Sequence, residues 1–197
     1  MSSKLFPILF KNLANLEKIA QRSITSRMNY NKDVENAINS QINKELTAFY
    51  KYMAMSAYFD RVEVAFPGAA AFFKKQSTQE WKHAQKLIDF QNNCGGKVIL
   101  ADIKTPKCEW NGLLDAFTDA VEMEKVQKSS LLGLHNEASK AQASDTTTFV
   151  DETYLVEQLM EIQQLVRMVN QIKRMGPGLG EQMFDRHLLK EVKKAEK

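Results

Sequence analysis

Residues 79–87 read Gln79-Glu80-Trp81-Lys82-His83-Ala84-Gln85-Lys86-Leu87, and this stretch decides the fold. A Glu-x-x-His pair on a helix sets a carboxylate and an imidazole on one face, one turn apart. The pair falls inside an apolar stripe formed by Phe73, Gln76, Glu80, His83, Leu87 and Phe90. A buried carboxylate without a partner is costly, so something must compensate Glu80. Four-helix bundles use this pair, facing inward, to hold two metal ions, which makes a metal the leading candidate.

Working outward, the flanking segments repeat the anomaly. From about Asn31 to Asp60, Ile38, Glu45, Tyr52 and Phe59 recur every seven residues. From about Trp110 to Ala141 the stripe is Leu113, Phe117, Ala120/Val121, Glu124, Leu131 and Leu134. From about Asp145 to Met175 it is Leu155, Gln158, Ile162, Leu165, Val169 and Ile172, with Glu157 one residue off the line. Each stripe buries one face of a helix, and each carries a polar residue near its middle. Glu45, Glu80 with His83, Glu124 and Gln158 thus form a candidate ligand set for a pair of iron ions. Carboxylate oxygen and imidazole nitrogen suit iron without any thiolate. Tyr52, two turns from Glu45 on the same face, is a candidate for hydrogen bonding a ligand or for redox chemistry.

Topology follows from linker lengths. Short connections join the first helix to the second (about Pro67 to Cys94) and the third to the fourth, forcing antiparallel neighbours. Gly95-Gly96 stops the second helix, and Gly176-Pro177-Gly178 separates the fourth from a short fifth, about Leu179 to Lys190. The second and third helices are joined by an extended segment of about 15 residues, including the strand-like Lys97-Val98-Ile99-Leu100. It reaches ~50 Å, enough to run the ~42 Å length of a helix in the bundle. The expected architecture is all-α: an up-down-down-up four-helix bundle with one long crossover and a fifth C-terminal helix.

Composition agrees. With 4 prolines and 8 glycines in 197 residues, a mostly helical chain is expected. No apolar run approaches a membrane span. Cys94 and Cys108 are too few for a disulfide framework and read as free thiols of a reducing compartment. The net charge of +3 is uneven: residues 1–32 hold six basic residues and one acid, leaving 21 basic and 23 acidic residues in 33–197. No basic face for nucleic acid is legible in that slightly acidic body. Residues 1–30 are basic and poor in acids, with Leu9, Leu13, Leu16 and Ile19/Ala20 at helical spacing, the signature of a mitochondrial transit peptide. A retained basic arm is the bland alternative. A secretory signal needs a longer apolar core than Leu5–Phe10, which contains Pro7.

The chain from about Tyr30 to Leu188 resembles the heavy-type (ferroxidase) subunits of animal ferritins. The stretches that carry the resemblance include Gln41-Ile42-Asn43-Lys44-Glu45-Leu46, Tyr58-Phe59-Asp60-Arg61, Gln79–Ala84, Glu152-Thr153-Tyr154-Leu155-x-Glu157-Gln158 and Met183-Phe184-Asp185-x-His187. The resemblance implies a ferritin-like domain over 31–191. It also implies a shell of twenty-four subunits, formed alone or mixed with other ferritin chains. That shell oxidises Fe(II) with O₂ or peroxide and stores the ferric mineral. Glu45, Glu80 and His83 match ligands of the first iron, Glu80 and Glu124 of the second, with Gln158 beside the second and Tyr52 near the first. The basic extension adds an expectation of the mitochondrial matrix as location, with the cytoplasm as alternative. Departures from the family pattern are also expected to matter. Positions that usually carry acidic residues leading iron to the inner wall read Gln79, Lys82 and Gln85. Those of the three-fold entry channel read Thr148 and Asp151, with Glu152 adjacent. Mineral growth and cation steering are expected to be weak for these reasons, and a structural shell subunit with weak mineralisation is the alternative function. Met183 and His187 are expected to face a four-fold pore.

Overall fold

Asn31 starts the first helix of the computed structural model, which describes residues 30–195. Its side chain accepts hydrogen bonds from the backbone N–H groups of Asp33 (2.8 Å) and Val34 (3.3 Å), satisfying donors that a helix start otherwise leaves unpaired. The helices are α1 (Lys32–Phe59), α2 (Pro67–Asn93), α3 (Gly112–Lys140), α4 (Ser144–Val150), α5 (Val156–Met175) and α6 (Leu179–Ala195). A π-helical turn, Asp151–Leu155, joins α4 to α5 into one rod. No strand occurs among the described residues, as expected of an all-α chain.

The crossover fixes the topology. Lys97 N–H donates to the Glu35 carboxylate, Asn39 brackets Lys97 and Ile99, and Asn43 donates to the carbonyls of Ala101 and Asp102. Further along, the Tyr58 hydroxyl reaches the Trp110 carbonyl and Arg61 pairs with Glu109. The crossover therefore runs the length of α1 in the same direction and starts α3 beside the start of α2. This is the up-down-down-up order. Lys97–Leu100 is extended but hydrogen-bonds to α1 side chains, so it forms no strand.

The apolar core is in two parts. One holds Tyr52, Phe59, Phe73, Phe117 and Leu165, capped by Phe184 and Leu188 of α6. The other holds Ile38, Ile42, Leu87, Leu131 and Tyr154. Each helix passes from one cluster to the other through a buried polar layer. Glu45 lies between Ile42 and Ala48, Glu80 between Phe73 and Leu87, Glu124 between Val121 and Leu131, and Gln158 between Tyr154 and Leu165. Every one of these polar side chains is at most 4 % exposed.

Helix α6 is locked to the start of α2. The buried Asp185 carboxylate accepts from the N–H groups of Gly68 (3.0 Å) and Ala69 (2.7 Å), capping a helix that has Pro67 in its first turn. A Cβ at Gly68 would come within 2.0 Å of the Asp185 carbonyl, so glycine permits this contact. Asp185→Ala leaves two buried donors unpaired and is expected to cost about 2–3 kcal/mol. Denaturant unfolding of the variant checks this; an unchanged midpoint contradicts it.

Three boundaries differ from the sequence reading. The fifth helix runs to Ala195 rather than about Lys190, because Val192 continues the buried face of Phe184 and Leu188. The fourth helix is interrupted by the π-turn, which periodicity alone does not reveal. Tyr30, assigned to the extension, belongs to the body: its hydroxyl donates to Gln91 Oε1 at 2.6 Å. The transit-peptide reading of residues 1–30 lies, Tyr30 apart, outside the described residues.

Candidate metal centre

In the polar layer four helices converge on two overlapping triads. Ligand atoms of Glu45, Glu80 and His83 lie within 4.8 Å of one another, and so do those of Glu80, Glu124 and Glu161. Glu80 belongs to both. A third group, His83, Glu157 and Glu161, meets the same limit. The sequence-predicted residues Glu45, Glu80, His83, Glu124, Gln158 and Tyr52 are thus brought together in one layer.

Neighbouring amides and hydroxyls hold each carboxylate. Glu45 accepts from Gln41 Nε2 (2.7 Å) and Gln127 Nε2 (2.6 Å). Gln41 is itself oriented by Ser130, which accepts from the half-buried Lys44. The Tyr52 hydroxyl donates to one oxygen of Glu124 and the Gln158 amide to the other. Gln158 also donates to the Glu124 carbonyl at 3.1 Å, leaving its amide oxygen as the atom that suits a cation. The resemblance set Tyr52 beside the first ion, but its hydroxyl serves Glu124, in the second triad. His83 Nδ1 lies 3.6 Å from Glu80 and Nε2 lies 3.3 Å from Glu157. The edge of the His83 ring meets Tyr154, whose hydroxyl donates to the His83 carbonyl.

Glu161 is the residue that sequence reading missed. It is buried, accepts from Gln79 Nε2 through one oxygen, and leaves the other without a partner. The stripe of the fourth rod runs Tyr154, Gln158, Glu161, Leu165, Val169, Ile172. The expected line took Leu155 and Ile162 instead because they are apolar; both are only half-buried. Steps of three and four from Gln158 point equally to Glu161, and that spacing was the available signal. Glu157 does turn sideways: it is partly exposed and accepts from Gln79 at 2.8 Å.

No lysine or arginine is among the main influences on these carboxyls; the base beside them is His83. Burial, then repulsion from Glu80, holds the Glu45 carboxyl well above its ordinary range. Burial and Glu124 do the same for Glu80, and burial raises Glu124 against hydrogen bonds from Tyr52 and Gln158. Burial and Glu124 push Glu161 up to about 8. Four such carboxyls are tolerated only as protonated acids or around cations. Glu80 Oε1 and Glu161 Oε2 are buried without a hydrogen bond, which fits oxygens reserved for ions. The donor set is oxygen with one imidazole, suited to a hard or borderline divalent metal.

Comparison with known proteins agrees with this architecture. The ferritin family, described as a ferritin-like domain, matches residues 35–175. A soma ferritin of Lymnaea stagnalis is 43% identical over 165 residues, covering 83% of this chain and 95% of the relative. The ferritin-2 heavy chain of Schistosoma mansoni is 44% identical, with 86% and 99% covered. A ferritin middle subunit of Aquarana catesbeiana is 40% identical, with 84% and 96% covered.

Proposed function

Because the chain belongs to the ferritin family, we propose that it is an iron-storage subunit that oxidises Fe(II) at a two-ion site inside its own helical bundle. One observation carries the reading: two buried triads of ligand atoms share Glu80, and against their four carboxyls the charge that favours ionisation comes from His83, with no lysine or arginine among the main influences on them. Iron is the substrate here. Glu45, Glu80 and His83 hold one Fe(II); Glu80, Glu124 and Glu161 hold the other. Gln41 and Gln127 fix the Glu45 rotamer, and Tyr52 and Gln158 fix Glu124, so the site is oriented before the ions arrive. Two Fe(II) give one electron each to O₂, which takes up two protons and leaves as hydrogen peroxide. The chain supplies geometry and bound protons; the electrons are the metal's.

The test is aerobic mixing of Fe(II) with the iron-free assembled protein, following absorbance and dissolved O₂. A fast phase consuming one O₂ per two Fe(II) is expected. Without a fast phase, the alternative of a structural shell subunit with weak mineralisation holds. Gln79, Lys82 and Gln85 favour that alternative, since acidic residues are absent from those positions.

Glu161 has a separable role. Glu161→Ala is expected to weaken the second of two bound Co(II) ions by about tenfold, the loss of one oriented ligand, and to leave the first unchanged. Anaerobic Co(II) titration resolves the two steps; equal weakening of both contradicts the assignment.

Assembly into a ferritin shell of twenty-four subunits, alone or mixed, is part of the same reading. Exposed apolar side chains such as Leu159, Met160, Leu179 and Met183 suit subunit contacts. Thr148 is exposed and Asp151 pairs with His135 at 3.4 Å, which supports weak cation steering there. We assign the mitochondrial matrix as location, on the basic residues 1–30. Fusing them to a fluorescent reporter should send it to mitochondria; a cytosolic signal contradicts this.

A further inference from the structure

The positions that read Gln79, Lys82 and Gln85 do more than lose carboxylates. Gln79 and Lys82 line a groove of about 700 Å³ on α2, together with Lys74, Lys75 and Lys86. Lys75, Lys82 and Lys86 are spaced by seven and four residues, which keeps them on one stripe of the helix. All four lysines are exposed, and none makes an ion pair among the described residues. Elsewhere Lys32, Lys107, Lys125 and Lys140 each hold a carboxylate. The one acid lining the groove is Glu157, already engaged by Gln79 and His83. Like charges one turn apart, as in Lys82 and Lys86, cost about 0.2–0.5 kcal/mol on a helix surface. A bound anion removes that repulsion.

The groove has one further property: His83 and Glu157 form part of its wall. Both belong to the third ligand group, which shares Glu161 with the second triad. The cationic surface therefore begins where the metal centre meets solvent.

From this juxtaposition we infer that the groove is a binding site for inorganic phosphate, held chiefly by Lys82 and Lys86, at the solvent edge of the metal centre. Ammonium groups pair with phosphate oxygens as point charges, a common mode of phosphate binding. Ferric ion is a hard cation that binds phosphate oxygen, so ferric product leaving past Glu157 meets the anion there. The consequence is a mineral enriched in phosphate. This second step rests on the iron-oxidation reading above; phosphate binding by the iron-free protein does not.

The experiment uses the iron-free assembled protein and inorganic phosphate in calorimetric titration. Wild type is expected to bind about one phosphate per subunit with Kd below ~1 mM, weakening as salt rises. Lys82→Gln/Lys86→Gln is expected to weaken binding about tenfold or more. Lys128→Gln, on α3 outside the groove, is expected to change nothing. Glycerol phosphate, titrated in parallel, is expected to bind more weakly than inorganic phosphate. In shells mineralised with phosphate present, the double variant is expected to show a lower phosphate-to-iron ratio at the same initial oxidation rate. The inference is overturned if wild type binds no phosphate, if the double variant binds it like wild type, or if glycerol phosphate binds more tightly. Absent iron oxidation in wild type would sink the functional reading instead, and the iron-free titration would still decide this one.

Discussion

Glu80→Gln is expected to lose fast Fe(II) oxidation and, at neutral pH, to make the iron-free protein more stable. The two effects have one cause. Glu80 is shared by both triads and is 1 % exposed, with one oxygen unpartnered. As a ligand it is the residue common to the Glu45–Glu80–His83 and Glu80–Glu124–Glu161 groups, and so would serve both ions. A neutral amide keeps the shape but not the bridging charge. Oxidation is expected to slow by about 100-fold or more, or ~2.7 kcal/mol on the barrier. Without iron, the same carboxylate is buried beside Glu124, Glu45 and Glu161. Glutamine is buried neutral without the proton uptake that Glu80 needs on folding at neutral pH, and replacing buried ionisable groups by neutral ones often stabilises by about 1 kcal/mol or more. Stopped-flow absorbance and scanning calorimetry on assembled shells check both halves. Undiminished oxidation would eliminate Glu80 as the shared ligand. A loss of stability together with lost oxidation would show a structural carboxylate, and the activity loss would then be misfolding.

The second large effect is the pH dependence of the iron-free protein. Glu45, Glu80, Glu124 and Glu161 all hold their protons more tightly folded than unfolded, Glu161 up to about 8. Between the ordinary glutamate range near 4.5 and about 8, the native state therefore binds more protons than the unfolded chain. Stability then falls as pH rises, by ~1.4 kcal/mol per pH unit for each excess proton. Their stabilising contribution is complete below about pH 4.5 and is lost as pH climbs through the folded values. Divalent cations reverse the slope. They replace the protons, release them to buffer, and stabilise the protein most where the bare carboxylates repel most. Calorimetric melting at pH 5.5 and 8, with and without Zn(II), reads this directly. A melting temperature that rises with pH in the iron-free protein would mean the four carboxylates are already compensated. Zn(II) binding without proton release would mean they are already ionised.

The periodicity of the chain carried much of this. Ile38, Glu45, Tyr52 and Phe59 lie on one face because the repeat of seven matches two helical turns, and all four are buried. Glu80, His83 and Glu124 were legible for the same reason: a charged residue on an apolar line has nowhere else to point. The crossover direction followed from the reach of the linker against the length of a helix. Glu161 was not legible because Ile162 beside it satisfied the apolar pattern, and the π-turn at Asp151–Leu155 shifts the phase of the rod in a way no local composition marks. Gln41 and Gln127 were unread because amides are common on exposed faces. Only the tertiary arrangement reveals that both serve Glu45. The lysine groove needed the fold as well, since Lys75, Lys82 and Lys86 look like an ordinary solvated face until Glu157 and His83 are seen at its edge.

The most direct measurement is anaerobic Fe(II) titration of the iron-free assembled protein, with bound iron and released protons counted together. Two Fe(II) per subunit, bound with release of protons and reduced to at most one in Glu80→Gln, is the predicted result. No Fe(II) held between the helices, or binding that Glu80→Gln leaves intact, would contradict it.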